Sequence, residues 1–351
     1  MSKRFLQAPT IYLGNGEKIT DGTLIIKEDG SIEAVGKNIE VPAEKVQHFD
    51  GALCPGFINT HCHLELSHLK NKVREKTKLN GFIKELQSIR FAAEEEIKKA
   101  LDAADLEMQE NGIVAVGDIC NDAVTFKRKA SSSIFYHSLI ELFAFDPKQA
   151  DAIFQKGLEL KAKAKELKIS ASIVPHAPYS VSDPLFEKIA ELASNSALSI
   201  HNQETEAENS MFQHGSGAMI EMLSKFGLVK ELYQASGKSS LQTYLEKLPQ
   251  KTPLLLVHNT FTSADDIQHA EEMHKNLYWC FCPLANSYIE DRLPNVPVFV
   301  QANVRCTLGT DSLASNHHLS ILEEMKCIQQ SFPEIDLATL CKWACQNGAD
   351  F

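Results

Sequence analysis

From about residue 56 onward, short apolar runs alternate with longer amphipathic stretches. The runs cover 56–61, 113–119, 133–142, 170–176, 198–202, 253–259, 277–283 and 304–311. Most are near-continuous rather than alternating, the pattern of parallel strands buried on both faces. Between them, 82–110, 147–167, 184–193, 263–275, 319–331 and 337–347 read as helices. Asp183 is set to cap the third of these, with Pro184 in its first turn. Ser263-Ala264-Asp265-Asp266 is a helix-start signature. Eight strands alternating with helices predict a (β/α)8 TIM barrel, with a doubly wound sheet as the alternative.

Residues 1–55 follow a different rule. Thr10-Ile11-Tyr12-Leu13, Gly22-Thr23-Leu24-Ile25-Ile26 and Ser31-Ile32-Glu33-Ala34-Val35 are short β-prone runs, punctuated by Gly14-Asn15-Gly16 and Asp29-Gly30. Those punctuations are hairpin-type turn signals. A unit of so few strands needs something to pack against, so a small all-β satellite is expected beside the barrel.

The polar residues inside the apolar runs favour the barrel, because they gather at C-terminal ends. The first run leaves a Pro55-Gly56 turn and ends in His61-Cys62-His63. Residues two apart on an extended backbone point to one side, so both imidazoles can reach one ion. Later runs end in Pro175-His176, His201-Asn202-Gln203-Glu204, His258-Asn259 and Gly309-Thr310-Asp311. Singly, each is an ordinary loop or core residue. In a barrel those ends converge on one mouth, where active sites of this fold sit. Three imidazoles and a carboxylate then make an N3O set with a position left open for water.

The chain has 351 residues, 44% of them hydrophobic, enough for one large core and a satellite. A net charge of −11 without a basic patch argues against nucleic acid as a partner. No apolar run is long enough to span a membrane, and the first residues carry no apolar signal segment, so a cytoplasmic protein is expected. The nine cysteines are scattered and contain no CxxC pair, which reads as reduced thiols rather than a disulfide framework or zinc ribbon.

The combination of motifs resembles the amidohydrolase superfamily, in the subgroup of cytosine-, guanine- and adenosine-type deaminases and related chlorohydrolases. Pro55-Gly56-Phe57-Ile58-Asn59-Thr60-His61-Cys62-His63-Leu64 is similar to that subgroup's opening motif. His201-Asn202-Gln203-Glu204-Thr205 is similar to its His-x-x-Glu-Thr strand, and Leu308-Gly309-Thr310-Asp311-Ser312-Leu313-Ala314-Ser315-Asn316 to its Gly-Thr-Asp…Ser-Asn strand. Cys282-Pro283-Leu284-Ala285-Asn286-Ser287 resembles its Cys-Pro-x-Ser-Asn segment, with Ala285 in place of Ser. The resemblance implies one divalent ion, Zn or Fe, on His61, His63, His201 and Asp311. It implies Glu204 as proton shuttle, His258 as the group facing the attacked oxygen, and His176 as a substrate contact. Residues 1–55 would be the N-terminal part of a small β-sandwich and 56–351 the hydrolase barrel. Chains of this kind usually continue past Asn347-Gly348-Ala349 into strands that return to the sandwich. This sequence stops at Phe351, so those C-terminal strands are expected to be missing.

Two further expectations concern metal number and substrate. The fourth strand ends in Pro175-His176, without the lysine that bridges two ions in binuclear members, so one ion is expected. Glu141, near the end of the third strand, binds the metal in deacetylase-type relatives; here a structural or substrate contact is expected of it. His63-Leu64-Glu65-Leu66-Ser67 and the helix that follows resemble a branch that includes the aminodeoxyfutalosine deaminases of menaquinone synthesis, with S-adenosylhomocysteine and methylthioadenosine deaminases nearby. That implies hydrolytic deamination of a 6-aminopurine nucleoside. Glu65, Ser315, Asn316, His317 and His318 are expected near the mouth, as candidate contacts to a small-molecule substrate. A guanine deaminase or triazine hydrolase is the alternative enzyme, and a non-catalytic metal-binding scaffold the alternative of another class. A homodimer is left open.

Overall fold

The structure, a computed structural model, describes residues 3–193, 196–227 and 233–351. The chain begins with a five-stranded sheet of β1 (Arg4–Tyr12), β2 (Lys18–Ile26), β3 (Ile32–Lys37), β4 (Val46–His48) and β5 (Ala52–Leu53). Its order is β3-β2-β1-β4, with β5 also on β1. The two antiparallel turns are the ones the glycines mark. Asn15 Oδ1 accepts from the Glu17 N–H, and Asp29 Oδ1 from the Ser31 N–H. Gly14 has φ +79, and a Cβ there would lie 2.9 Å from Pro55 Cγ and 3.1 Å from Cys345 Cβ. The first hairpin thus packs directly on the entry to the barrel. β1 and β2 are longer than expected, because polar Gln7, Thr10 and Thr20 alternate with buried Leu6, Ala8 and Ile11.

Eight parallel strands follow: β6 (Phe57–Cys62), β7 (Ile113–Cys120), β8 (Phe135–Leu142), β9 (Ser170–Pro175), β10 (Leu198–Asn202), β11 (Leu254–His258), β12 (Leu277–Phe281) and β13 (Cys306–Leu308). They run in two sets, β6-β7-β8-β9 and β10-β11-β12-β13. β10, β11, β12 and β13 are buried along their whole length, as continuous apolar runs require. Both seams between the sets are bonded at their polar ends. The His201 N–H donates to the His176 carbonyl (2.9 Å), and the Thr310 and Asp311 N–H groups both donate to the His61 carbonyl (3.0 and 3.1 Å). The fold is therefore the expected (β/α)8 barrel.

The expected helices differ from the observed ones mainly at their ends, and Phe126–Ser131, Glu206–His214, Ala218–Lys225, Ser240–Tyr244, Pro283–Glu290 and Val296–Gln301 are helices the sequence reading does not expect. The single helix over 82–110 is two, Lys78–Ile89 and Glu94–Glu110. Ala93 is extended, and Glu94, Glu95 and Glu96 form a fresh acidic first turn that favours the positive end of a helix dipole. Ser182, not Asp183, occupies the N-cap of Asp183–Leu192. The helix over 147–167 begins as a single tight turn, Pro147–Gln149, before Ala150–Glu166. The last helix breaks at Cys345 into Leu337–Ala344 and Gln346–Asp350. Ser263 caps Ala264–Met273 in a full capping box with Asp266, as its signature predicts.

Candidate metal centre and active site

The end of β6 carries His61, wholly buried, with neither ring nitrogen hydrogen-bonded. An imidazole has two polar nitrogens, and leaving both unmet in a dry site is costly. What surrounds it is a set of further acceptors. Asp311 Oδ1 lies 3.7 Å from His61 Nε2 and 3.5 Å from His63 Nε2. His201 Nδ1 donates to the His176 carbonyl at 2.7 Å, a tautomer assigned by that bond, which leaves Nε2 as a lone pair. That Nε2 faces His63 Nε2 at 3.4 Å. Burial holds His61, His63 and His201 below the ordinary imidazole value, His201 down to about 4, so the rings are neutral and their lone pairs free. Burial by itself would raise Asp311, but the His61, His63 and His258 rings hold it below the usual carboxylate range. Converging lone pairs and a carboxylate without a shared proton fit a cation and little else. The four residues are the donor set zinc and iron accept.

The backbone is bent to bring these groups together. Asp311 (φ +56), His258 (φ +75), Asn259 (φ +59) and Gln203 (φ +45) are left-handed without being glycine. Such outliers persist where surrounding structure over-determines them. Asn259 Nδ2 donates to the carbonyls of Leu256 and Cys280, and its Oδ1 accepts from Asn202. At Gly309, a Cβ would sit 2.8 Å from both the His61 Cβ and its carbonyl oxygen, so only glycine lets β13 approach β6 this closely.

Glu204 and His258 form the next layer. Both are buried, with Oε1 and Nε2 3.7 Å apart. Burial, then the Asp311, Glu290 and Glu208 carboxylates, pushes Glu204 well above its usual range, which favours its protonated form. His258 is held well below its ordinary value, chiefly by burial. Its Nδ1 lies 3.1 Å from Asn286 Nδ2.

Of the expected substrate contacts, His176 is half-buried beside the His201 ring, with centroids 4.9 Å apart, and burial pushes it down to about 3. Glu65 is buried, accepts from the Asn121 N–H at 2.9 Å, and is pushed up by burial to about 8. Asn121 Nδ2 donates in turn to Glu141 Oε2 at 3.0 Å. Ser315 and Asn316 lie buried beside Asp311 and Thr310. Ser315 Oγ donates to Asp311 Oδ2 at 2.6 Å, and Asn316 Nδ2 donates to the Thr310 carbonyl and to Glu324 Oε1. Both are buried, and these bonds engage the groups that would have met a substrate. Exposed His317 and His318 line a separate cavity of about 200 Å³ with Glu75, Lys76 and Tyr288.

Sequence reasoning assigned nothing to Asp118 or Lys129. Asp118 Oδ1 accepts from the Leu64 N–H at 2.7 Å, just after His63, and its Oδ2 meets Lys129 Nζ at 2.6 Å, both side chains fully buried. A lone acid in the otherwise apolar run Ile113–Cys120 was the signal. Asn286 lay inside a quoted motif but received no role.

A profile of the amidohydrolase family matches residues 52–351. An adenosine deaminase of Helicobacter pylori is 27% identical over 320 residues, covering 86% of this chain and 74% of the relative. An aminodeoxyfutalosine deaminase of Nitratiruptor sp. is 25% identical over 329 residues, covering 90% and 78%. The crystal structure of Helicobacter pylori aminofutalosine deaminase in complex with methylthio-coformycin superposes with a TM-score of 0.83 at 25% identity, covering 99% of this chain and 87% of that one. A barrel with its polar strand ends gathered at one mouth, and a match spanning nearly the whole of it, lead to one conclusion: this chain belongs to the amidohydrolase family.

Proposed function

We propose that the chain is a metal-dependent hydrolytic deaminase of an adenine nucleoside or a close relative, holding one ion, zinc or iron, on His61, His63, His201 and Asp311. The observation that carries this reading is the unpartnered, buried His61 ring facing Asp311, with the Glu204–His258 pair alongside. The activities for which the similar proteins are named, adenosine and aminodeoxyfutalosine deamination, support the substrate class. β9 ends at Pro175 and is followed by His176, without a bridging lysine, which supports a single ion. Nine free cysteines support a reducing, cytoplasmic setting. Residues 1–55 are proposed as part of a satellite sandwich and 56–351 as the catalytic barrel.

The chemistry such an ion supplies is acidification of a water toward neutral pKa. The chain's own residues do the rest. Asp311 accepts a proton from the attacking water. Glu204, whose surroundings favour its protonated form, delivers its proton to a ring nitrogen, which makes the adjacent amidine carbon electrophilic. The water oxygen bonds to that carbon, and His258 Nε2–H donates to the oxygen as charge develops. Asp311 passes its proton to the exocyclic amine, and the proton left on the oxygen returns to Glu204. The C–N bond then breaks, ammonia leaves, and the carbon becomes a carbonyl with the ring nitrogen protonated.

The test is ammonia release by the metal-loaded chain from adenosine, 5′-substituted adenosines and guanine, with chloride release from a chlorotriazine in parallel. Ammonia from the adenine nucleosides is expected. Activity on guanine or the triazine alone would replace this substrate, and bound metal without any turnover would favour a non-catalytic scaffold.

A further inference from the structure

At the ends of β8 and β9, two acceptors stand side by side without a donor. Glu141 is buried; its Oε2 is held by Asn121, but its Oε1 has no hydrogen-bond partner. His201 Nδ1 lies 3.4 Å away, but its N–H is engaged by the His176 carbonyl at 2.7 Å. His176 supplies the second acceptor. Its Nδ1 lies 2.6 Å from Ser180 Oγ, whose own hydroxyl donates to the Ala177 carbonyl. With the Ser180 hydroxyl turned to the Ala177 carbonyl, Ser180 accepts, Nδ1 carries the ring proton and Nε2 presents a lone pair, a tautomer assigned by that bond. Ligand-type atoms of Glu141, His176 and His201 lie within 4.8 Å of one another.

A buried carboxylate oxygen left without a donor is costly, and such groups mark places where a ligand completes the bonding. A second metal ion is disfavoured here. His201 Nδ1 carries a proton, so Glu141 and His176 alone would remain, fewer than a bound divalent ion takes from protein. Two neighbouring acceptors of opposite chemical type match two neighbouring O–H donors. Phe143, next along the chain from Leu142, adds a half-exposed ring 5.9 Å from that of His176, an apolar wall beside the pair.

We propose that Glu141 and His176 form the acceptor pair for the vicinal diol of a sugar, so that this wall selects ribonucleosides. The proposal rests on the nucleoside-deaminase reading and deepens it. It is tested by kcat/KM for adenosine, 2′-deoxyadenosine and 3′-deoxyadenosine with the wild-type chain and with Glu141→Ala. The wild type is expected to lose about 10- to 100-fold on the analogue missing the hydroxyl that Glu141 holds, the range for a hydrogen bond to a charged group. Glu141→Ala should lose as much on adenosine and nothing further on that analogue. Glu141→Gln, closest in shape, should lose less, in the same substrate-dependent order, and covers the case in which the alanine variant does not fold. An equal loss by the variants on all three substrates overturns the diol site and leaves the deaminase reading intact. A fall in bound metal in either variant overturns it too, by making Glu141 a ligand. A wild-type chain inert on all three nucleosides removes the deaminase reading and the diol site together.

Discussion

Two groups of strand ends at the barrel mouth differ in how their polar groups are fixed. The ends of β6, β10 and β13, which carry His61, His63, His201 and Asp311, are tied to their neighbours by backbone bonds at both seams of the barrel. The His61 carbonyl takes two N–H bonds from Thr310 and Asp311, Asn59 and Thr310 bond each other twice, and Gly309 allows contact no other residue would. β8 and β9 pair along their backbones as well, but the polar groups at their mouth are linked through the side chains of Glu65, Asn121 and Glu141, and Glu141 Oε1 is left unmet. Locking by backbone suits an ion, whose ligands must keep their geometry whatever the substrate. A wall of side chains can be altered residue by residue, which suits the part of the site that distinguishes one substrate from another. On the proposed reading, the difference separates what performs the reaction from what chooses its target.

The largest expected effects come from breaking the first group at its ligands. His201→Ala should leave deamination at background and bound metal far below one ion per chain, read by elemental analysis. If the ion contributes to folding as it should, stripping it from the wild type lowers stability by about 3 kcal/mol, for an ion present at 100 to 1,000 times its Kd. Thermal unfolding with and without chelator measures this, and unchanged melting would remove the ion from the site. Next is Glu204→Gln, expected to cost about 10²- to 10⁴-fold in kcat, the range for a lost acid–base group. Metal content and KM should stay close to wild type, and loss of metal would instead make Glu204 a ligand.

Asp118 and Lys129 sharpen the comparison, because they support the ion's side from behind. Asp118→Ala releases the Leu64 N–H next to His63 and strands the Lys129 charge. Metal affinity should fall about 10- to 100-fold, as for other residues that orient ligands. Lys129→Met leaves the Asp118–Leu64 bond in place, so its main cost should be stability, about 3–5 kcal/mol for half of a buried pair. Metal titration and chemical denaturation separate the two. Equal loss of affinity in both variants would mean that the pair acts only through folding.

This contrast also explains what could be read from the sequence. The eight strands are legible because continuous apolar runs leave little else to predict, and His61, His63, His201, His258 and Asp311 stand out at their ends. Ser315 and Asn316 are legible as neighbours of Asp311, but a motif shows that proximity and not the bonds their side chains make to Asp311, Thr310 and Glu324. Asp118 binds a backbone group 54 positions earlier, and Asn286 a ring 28 positions earlier. Local periodicity carries no trace of such pairings. The helix break at Ala93 was missed because the acidic start at Glu94 lies within a stretch whose amphipathic period continues through it.

The smallest effect concerns a proton's position. Asn286 is fully buried, with Nδ2 3.1 Å from His258 Nδ1 and Oδ1 without a partner. Turning the amide over would leave its N–H donors unmet in exchange for one satisfied oxygen, the poorer arrangement. The amide therefore donates, His258 Nδ1 accepts, and the ring proton sits on Nε2, 3.7 Å from Glu204, where the reaction needs a donor. Asn286→Leu removes that constraint while keeping bulk. It should lower kcat about 10-fold, the worth of roughly one hydrogen bond, with KM and metal content little changed. Nitrogen-15 NMR of the His258 ring distinguishes a tautomer effect from mere loosening. The wild type should show Nδ1 unprotonated, Asn286→Leu a mixture of tautomers, and Asn286→Asp, which can only accept, a protonated Nδ1. A wild-type ring protonated at Nδ1 would reverse the assignment and take His258 out of the oxygen-facing role.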